Sequence, residues 1–189
     1  MRVEQREKRK LEIIITSIDV FVTRGYAGTK IQDIAESAGM SVGLLFHYFE
    51  SKEALYNELI KIAVDGTMET LNQDAAMPIE YFEKLTRDLF MKVNNHPYWA
   101  KIFVLLKQAM NNDSIPEIAK KYVRKIKIVE RMVQVIKSGQ QLQIIRRGNS
   151  TTLAMLYWTT VTGIIEQYAF TPSTPLPEVS WILSLIKPN

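Results

Sequence analysis

A chain of 189 residues with 47% apolar side chains can bury a sizeable core, which excludes global disorder. It holds no cysteine, so disulfides, thiolate zinc sites and cysteine nucleophiles are excluded together, and no run of about 18 apolar residues exists to span a membrane as a helix. The net charge of +4 invites a nucleic-acid reading, but its placement weakens the inference, because residues 1–53 balance eight cations with eight acids. The excess sits instead around Lys120, Lys121, Arg124, Lys125, Lys127, Arg131, Lys137, Arg146 and Arg147.

The amino terminus is charged and lacks the apolar stretch of a signal peptide, so a soluble, cytoplasmic protein with no membrane partner is expected. Leu11, Ile14, Ile18, Phe21 and Val22 step by three or four and predict a helix of about 18 residues ended by Gly25. Thr29 is placed to cap a second helix carrying Ile31, Ile34, Ala35 and Ala38, with Gly39 as its stop. Ser41 caps a third, and Met40 and Leu45 occupy the two ends of a hydrophobic staple. Ser51 caps a long fourth helix, 52–72, through Leu55, Leu59, Ile62 and Ala63.

Helical patterns continue over 79–95, 97–111, 115–138, 150–170 and 177–187. They are broken by Pro78, His96-Pro97, Asp113 to Pro116, Gly139 to Asn149 and Pro172 to Pro177. Leu142 to Ile145 is the one short strand candidate, and the fold class expected is all-α.

Helix 31–38, the Gly39 turn and a short helix 42–48 form a helix-turn-helix. A helix of seven residues is not stable alone and must be held by packing, for which Leu45 and Phe49 supply the inward face. Gly43 and His47 then face outward, flanked by Leu44 and Phe46. Such a face suits a major groove: Gly43 permits close backbone approach, His47 can donate to base or phosphate, and Leu44 can touch thymine methyls. Tyr48 can donate its hydroxyl to phosphate. Lys52 sits in the first turn of the fourth helix, where the macrodipole disfavours a cation; a bound phosphate would resolve the conflict. Thr29 and Lys30 offer a similar anchor. The plainer alternative for each lysine or tyrosine taken singly is a solvated surface residue.

Residues 14–59 resemble the DNA-binding domain of TetR-type (tetracycline-repressor-like) regulators. Gly25-Tyr26, Thr29, Ile34-Ala35, Ala38-Gly39, Ser41, Gly43, His47-Tyr48-Phe49 and Ser51-Lys52-Glu53-Ala54-Leu55 all fall in register with that pattern. The resemblance implies a three-helix DNA-binding domain over 1–53 and a larger helical effector-binding and dimerisation domain over 54–189. It also implies a homodimer on a palindromic double-stranded operator, with 42–48 as recognition helix and DNA contacts from Thr29, Lys30, Ser41, Val42, Gly43, Leu44, Phe46, His47, Tyr48 and Lys52. Three positions depart from the family pattern: Val42 stands where lysine is frequent, Leu44 where threonine is, and Phe46 where tyrosine is usual. Each removes a polar contact, partly offset by Arg2, Arg6, Lys8, Arg9 and Lys10 if that segment reaches DNA; a frayed, solvated helix end is the alternative.

In the remainder, large side chains are either an ordinary helical core or, following the resemblance, the lining of a pocket for a small, largely apolar effector. The lining candidates are Phe90, Trp99, Phe103, Met110, Tyr122, Met132, Tyr157 and Trp158. Helix 150–170 is apolar around most of its circumference, which calls for a partner subunit as well as a core. Leu156, Gly163, Ile164, Trp181, Ile182 and Leu185 are the candidates for that interface. The basic stretch 120–137 reads as a solvated face or as attraction for acidic ligands such as acyl-coenzyme A.

Enzyme readings find no footing. His47 and His96 lack neighbours at metal-ligand spacing, and there is no glycine-rich phosphate loop or nucleophile elbow. No cofactor or metal is expected. The function expected is a ligand-responsive repressor released from its operator by the effector; the alternatives are a helical protein–protein interaction module on a helix-turn-helix scaffold and a ligand-dependent activator.

Overall fold

The computed structural model describes residues 2–71 and 77–188 and, among them, ten helices and no strand. The Arg2 side chain and residue 72, the expected end of the fourth helix, lie outside the described residues. The chain divides into two compact units: one runs up to Asp65 and includes Lys101–Lys125, and the other comprises Gly66–Ala100 and the residues from Ile126 onward. This partition differs from a split at residue 53, because the helix that starts there runs on uninterrupted and the later segment folds back onto the first. Lys101 pairs with Asp19 at 2.6 Å, and the Gln108 amide donates to the Val22 carbonyl at 3.1 Å.

In the first unit, α1 (Arg2–Gly28) starts well before the expected point and breaks at Gly25, whose φ of 67° suits glycine alone among the common residues. Its buried rows are Ile13, Ile14, Ser17, Ile18, Phe21 and Val22; Leu11 lies beyond the end of those rows and is half exposed, against expectation. α2 (Ile31–Ser37) and α3 (Val42–Phe46) follow, then α4 (Lys52–Leu71), which supplies Leu55, Tyr56, Leu59 and Ile60 to this core. α6 (Tyr98–Met110) and α7 (Glu117–Val123) complete the unit with their residues from 101 to 123.

The second unit is built on α5 (Pro78–Asn95), α8 (Ile128–Gln141), α9 (Ser150–Phe170) and α10 (Val179–Leu183), which pack against one another. Proline opens α5, where its missing N–H costs nothing. Asn149 caps α9 by accepting from the Thr152 amide at 2.9 Å. Phe82, Leu85, Met132, Ile136, Tyr157, Val161 and Ile165 are fully buried, with the Phe82 and Tyr157 rings edge-to-face at 4.7 Å.

Two expectations are corrected here. The single helix over 115–138 is two, α7 and α8, broken at Lys127 (φ −121°, ψ 54°). Val123 and Met132 are nine residues apart, so one straight helix would turn them to opposite sides; the break lets each be buried. The strand candidate Leu142–Ile145 is a turn: the Ile144 and Ile145 amides both donate to the Gly139 carbonyl, and the Ile145 side chain seats on Gly139 where any Cβ would collide at 2.5 Å.

Candidate nucleic-acid interface

The turn between α2 and α3 is set by glycine. Gly39 has φ 62°, its amide donates to Glu36 and that of Met40 to Ala35, which satisfies the last carbonyls of α2. Ser41 then caps α3, its hydroxyl oxygen accepting from the Leu44 amide at 3.2 Å. Leu45 and Phe49 are buried beneath, so this five-residue helix is held by packing rather than by its own hydrogen bonds. Outward stand Gly43, Leu44, Phe46 and His47, all exposed, with Val42 and Tyr48 half-buried at the margins. The helix ends at Phe46 rather than 48; His47 and Tyr48 form a turn closed by amide bonds to Leu44 and Leu45.

Lys30 is exposed and is itself the N-cap residue of α2. Its amide donates to the Asp33 carboxylate at 2.8 Å, and that bond, with the Arg24 guanidinium paired alongside, holds the Asp33 carboxyl below its usual range. Thr29 is not the cap. It is 2% exposed, and its hydroxyl donates to the Gly25 carbonyl at 2.6 Å, so its side chain is turned away from any ligand.

Lys52 is also corrected. Its ammonium donates to the carbonyls of Tyr26 and Thr29, each at 2.8 Å, and lies 4.3 Å from the centre of the Tyr26 ring. The dipole conflict at the start of α4 is met by these internal carbonyls rather than by a phosphate. Of the amino-terminal cations, Arg9 reaches the Ala38 carbonyl and the Glu12 carboxylate, Lys10 pairs with Glu58 at 3.0 Å, and Arg6 lies 3.5 Å from the His47 carbonyl. Arg6 and Arg9 tie α1 to the helix-turn-helix and Lys10 ties it to α4, through contacts 29 to 48 residues apart that leave no mark in local sequence. Lys8 is exposed.

The effector candidates fall in both units. Phe103, Met110 and Tyr122 belong to the first, where Met110 is exposed and therefore lines no interior. Phe90, Trp99, Met132, Tyr157 and Trp158 belong to the second. Tyr157 is fully buried with its hydroxyl committed, 2.6 Å from Thr86 Oγ1 and donating to the Phe82 carbonyl at 3.1 Å; burial pushes its pKa well above the ordinary phenol range. Trp99 lies against α4, its ring edge filling the space that a side chain at Gly66 would need, and Lys92 sits 3.7 Å over its face. A surface cleft of about 460 Å³ in this unit is lined by Gln140, Gln143, Ile145, Arg146, Arg147 and Pro188, none of them an expected lining residue.

Of the interface candidates, Leu156, Gly163 and Trp181 are exposed, Ile164 and Leu185 half-buried. Ile182 is corrected: at 4% exposure it belongs to the unit's own core, leaving Trp181 beside it at 63%. Thr152, Leu156, Thr159, Gly163, Gln167 and Phe170 recur along one side of α9, all exposed and none charged. Among the described residues no helix is long and apolar enough to cross a membrane, and there is no group of three or more histidine or acidic side chains that could hold a metal.

An all-helical chain with a capped, glycine-turned helix-turn-helix near its amino end defines a class of nucleic-acid-binding architecture. Residues 13–59 match the family described as bacterial regulatory proteins, tetR family. It is 36% identical over 90 residues to the HTH-type transcriptional repressor KstR2 of Mycolicibacterium smegmatis, covering 46% of this chain and 42% of that one. It is 29% identical over 100 residues to the HTH-type transcriptional regulator RutR of Escherichia coli, covering 51% and 47%. The matches thus span about half the length of these relatives.

Among solved structures, the ketosteroid transcriptional regulator KstR2 of Mycobacterium tuberculosis superimposes with a TM-score of 0.77 at 22% identity over 95% of each chain. AibR in complex with isovaleryl coenzyme A and operator DNA gives 0.69 at 23%, over 93% of this chain and 94% of that one. These neighbours share the fold over more than nine-tenths of this chain.

Proposed function

We propose that this protein is a ligand-responsive transcriptional repressor that binds a palindromic operator as a homodimer and is released by a small, largely apolar effector. The observation that carries the reading is the outward face of α3. A helix too short to stand alone is capped, turned and packed so as to expose Gly43, Leu44, Phe46 and His47 together. Around it, Lys30 and Tyr48 take phosphate contacts, as does the Ser41 hydroxyl. Thr29 and Lys52 contribute by fixing the backbone rather than by touching DNA.

The uncharged exposed side of α9, with Trp181 of α10, is the surface a second copy covers, burying large apolar groups whose exposure is otherwise costly. Two copies place their recognition helices about 34–36 Å apart, one turn of DNA, in successive major grooves. The effector binds in the second unit and acts only through unequal affinity for the DNA-competent and released states. α4, one continuous helix with residues in both units, is the covalent route between them. The repressor named among the relatives supports repression, and the neighbour crystallised with isovaleryl coenzyme A and operator DNA supports a DNA-binding protein that also takes a small ligand.

The test is salt-dependent binding to a selected palindromic duplex, followed by titration of acyl-coenzyme A and steroid-like ligands. Loss of the complex on ligand addition supports repression with release; strengthened binding would make the ligand a co-repressor.

A further inference from the structure

Residues 42–49 include no Lys, Arg, Asn, Gln, Asp or Glu, so the side chains that usually read guanine or adenine by paired hydrogen bonds are missing from α3. At about 100° per residue, Gly43 and His47 mark the centre of the outward face, while Leu44 and Phe46 stand on its two sides. Both are large, apolar and open to solvent, at 43% and 47%. At Gly43 a Cβ would meet only the Ser41 hydroxyl, at 4.0 Å, so the helix axis can approach a facing surface closely along that line. Close approach brings the two flanking side chains against the walls and floor of a groove. The one apolar group on an unmodified base edge there is the thymine C5-methyl.

Resting on the DNA-binding reading above, we propose that Leu44 and Phe46 are specificity-determining residues that select thymine in each half-site by packing on its C5-methyl groups. His47 supplies the polar contact between them. The operator half-site is then read by shape and methyl position more than by hydrogen bonds to guanine.

The experiment uses the full chain and the duplex recovered by selection from a random pool, with thymines replaced singly by deoxyuridine, which removes only the methyl group. Fluorescence anisotropy is expected to show about fourfold weaker binding at one or two positions per half-site, the equivalent of roughly 0.8 kcal/mol per buried methylene-sized group. Leu44→Ala abolishes the thymine–deoxyuridine difference at one of those positions and Phe46→Ala at another, with unchanged thermal unfolding because both side chains are exposed. Sequence-specific binding that is indifferent to every deoxyuridine overturns this proposal and leaves the DNA reading standing. Failure to recover any specific duplex overturns both.

Discussion

The Lys52 ammonium joins two carbonyls, those of Tyr26 and Thr29, that belong to the segment between the Gly25 break and α2. Those carbonyls have lost their helical partners at the break, and the lysine replaces them while its charge is balanced in part by the Tyr26 ring. Lys52→Met is therefore expected to lower stability by about 1.5 kcal/mol, the lower end for charge-assisted hydrogen bonds because the site is half exposed. Urea unfolding measures it. A variant with unchanged stability but weakened, less salt-dependent DNA binding would return Lys52 to the role of a phosphate contact.

Gly43→Ala separates folding from recognition. The added methyl enters open space on a helical residue, so stability should hold or rise by up to about 1 kcal/mol. DNA affinity should fall at least tenfold, because the Cβ stands where the groove must come closest. Parallel thermal unfolding and anisotropy titrations check both halves.

Legibility from sequence followed the range of the interaction. Gly25, Gly39, Ser41 and Ser51 do what their residue types announce, because turns and caps are decided within four residues. The outward face of α3 was legible for the same reason, from periodicity alone. Lys52 was not, because its partners lie 26 and 23 residues away. Thr29 looked like a cap by type, yet its hydroxyl is drawn to Gly25 and the cap position passes to Lys30, for which Asp33 supplies the polar partner. The break between α7 and α8 was hidden because Ile126 and Ile128 carry an apolar pattern across it. Ile182 and Trp181 are neighbours of equal apolar character, and only packing separates core from surface.

Asp33 gives the amino-terminal region an acid-sensitive contact. Its folded pKa lies below the unfolded value of about 3.9, so its contribution is fully present above that value and is lost as pH falls through the folded pKa. Melting temperatures measured from pH 6 to 2.5 should fall more steeply for the parent protein than for Asp33→Asn below about pH 4.

Tyr157→Phe tests whether this hydroxyl belongs to the core or to a ligand. Removing a buried group bonded to Thr86 and Phe82 should cost about 1 kcal/mol of stability with effector affinity unchanged. A large loss of effector affinity at unchanged stability would place the hydroxyl in the ligand site.

On the second unit's surface, Leu156→Lys puts a charge within an uncharged face and is expected to abolish the proposed dimer in sedimentation velocity. Ile182→Ala instead lowers stability by about 2–4 kcal/mol through a core cavity. Dimer loss from Ile182→Ala without destabilisation would reverse the assignment of these two residues.

Genomic fragments retained by the purified full chain at moderate salt, once sequenced, are expected to be enriched in an inverted repeat whose half-sites lie about one helical turn apart. Retention that is salt-sensitive but enriches no sequence would contradict operator binding, and would assign the apolar face of α3 to a protein partner.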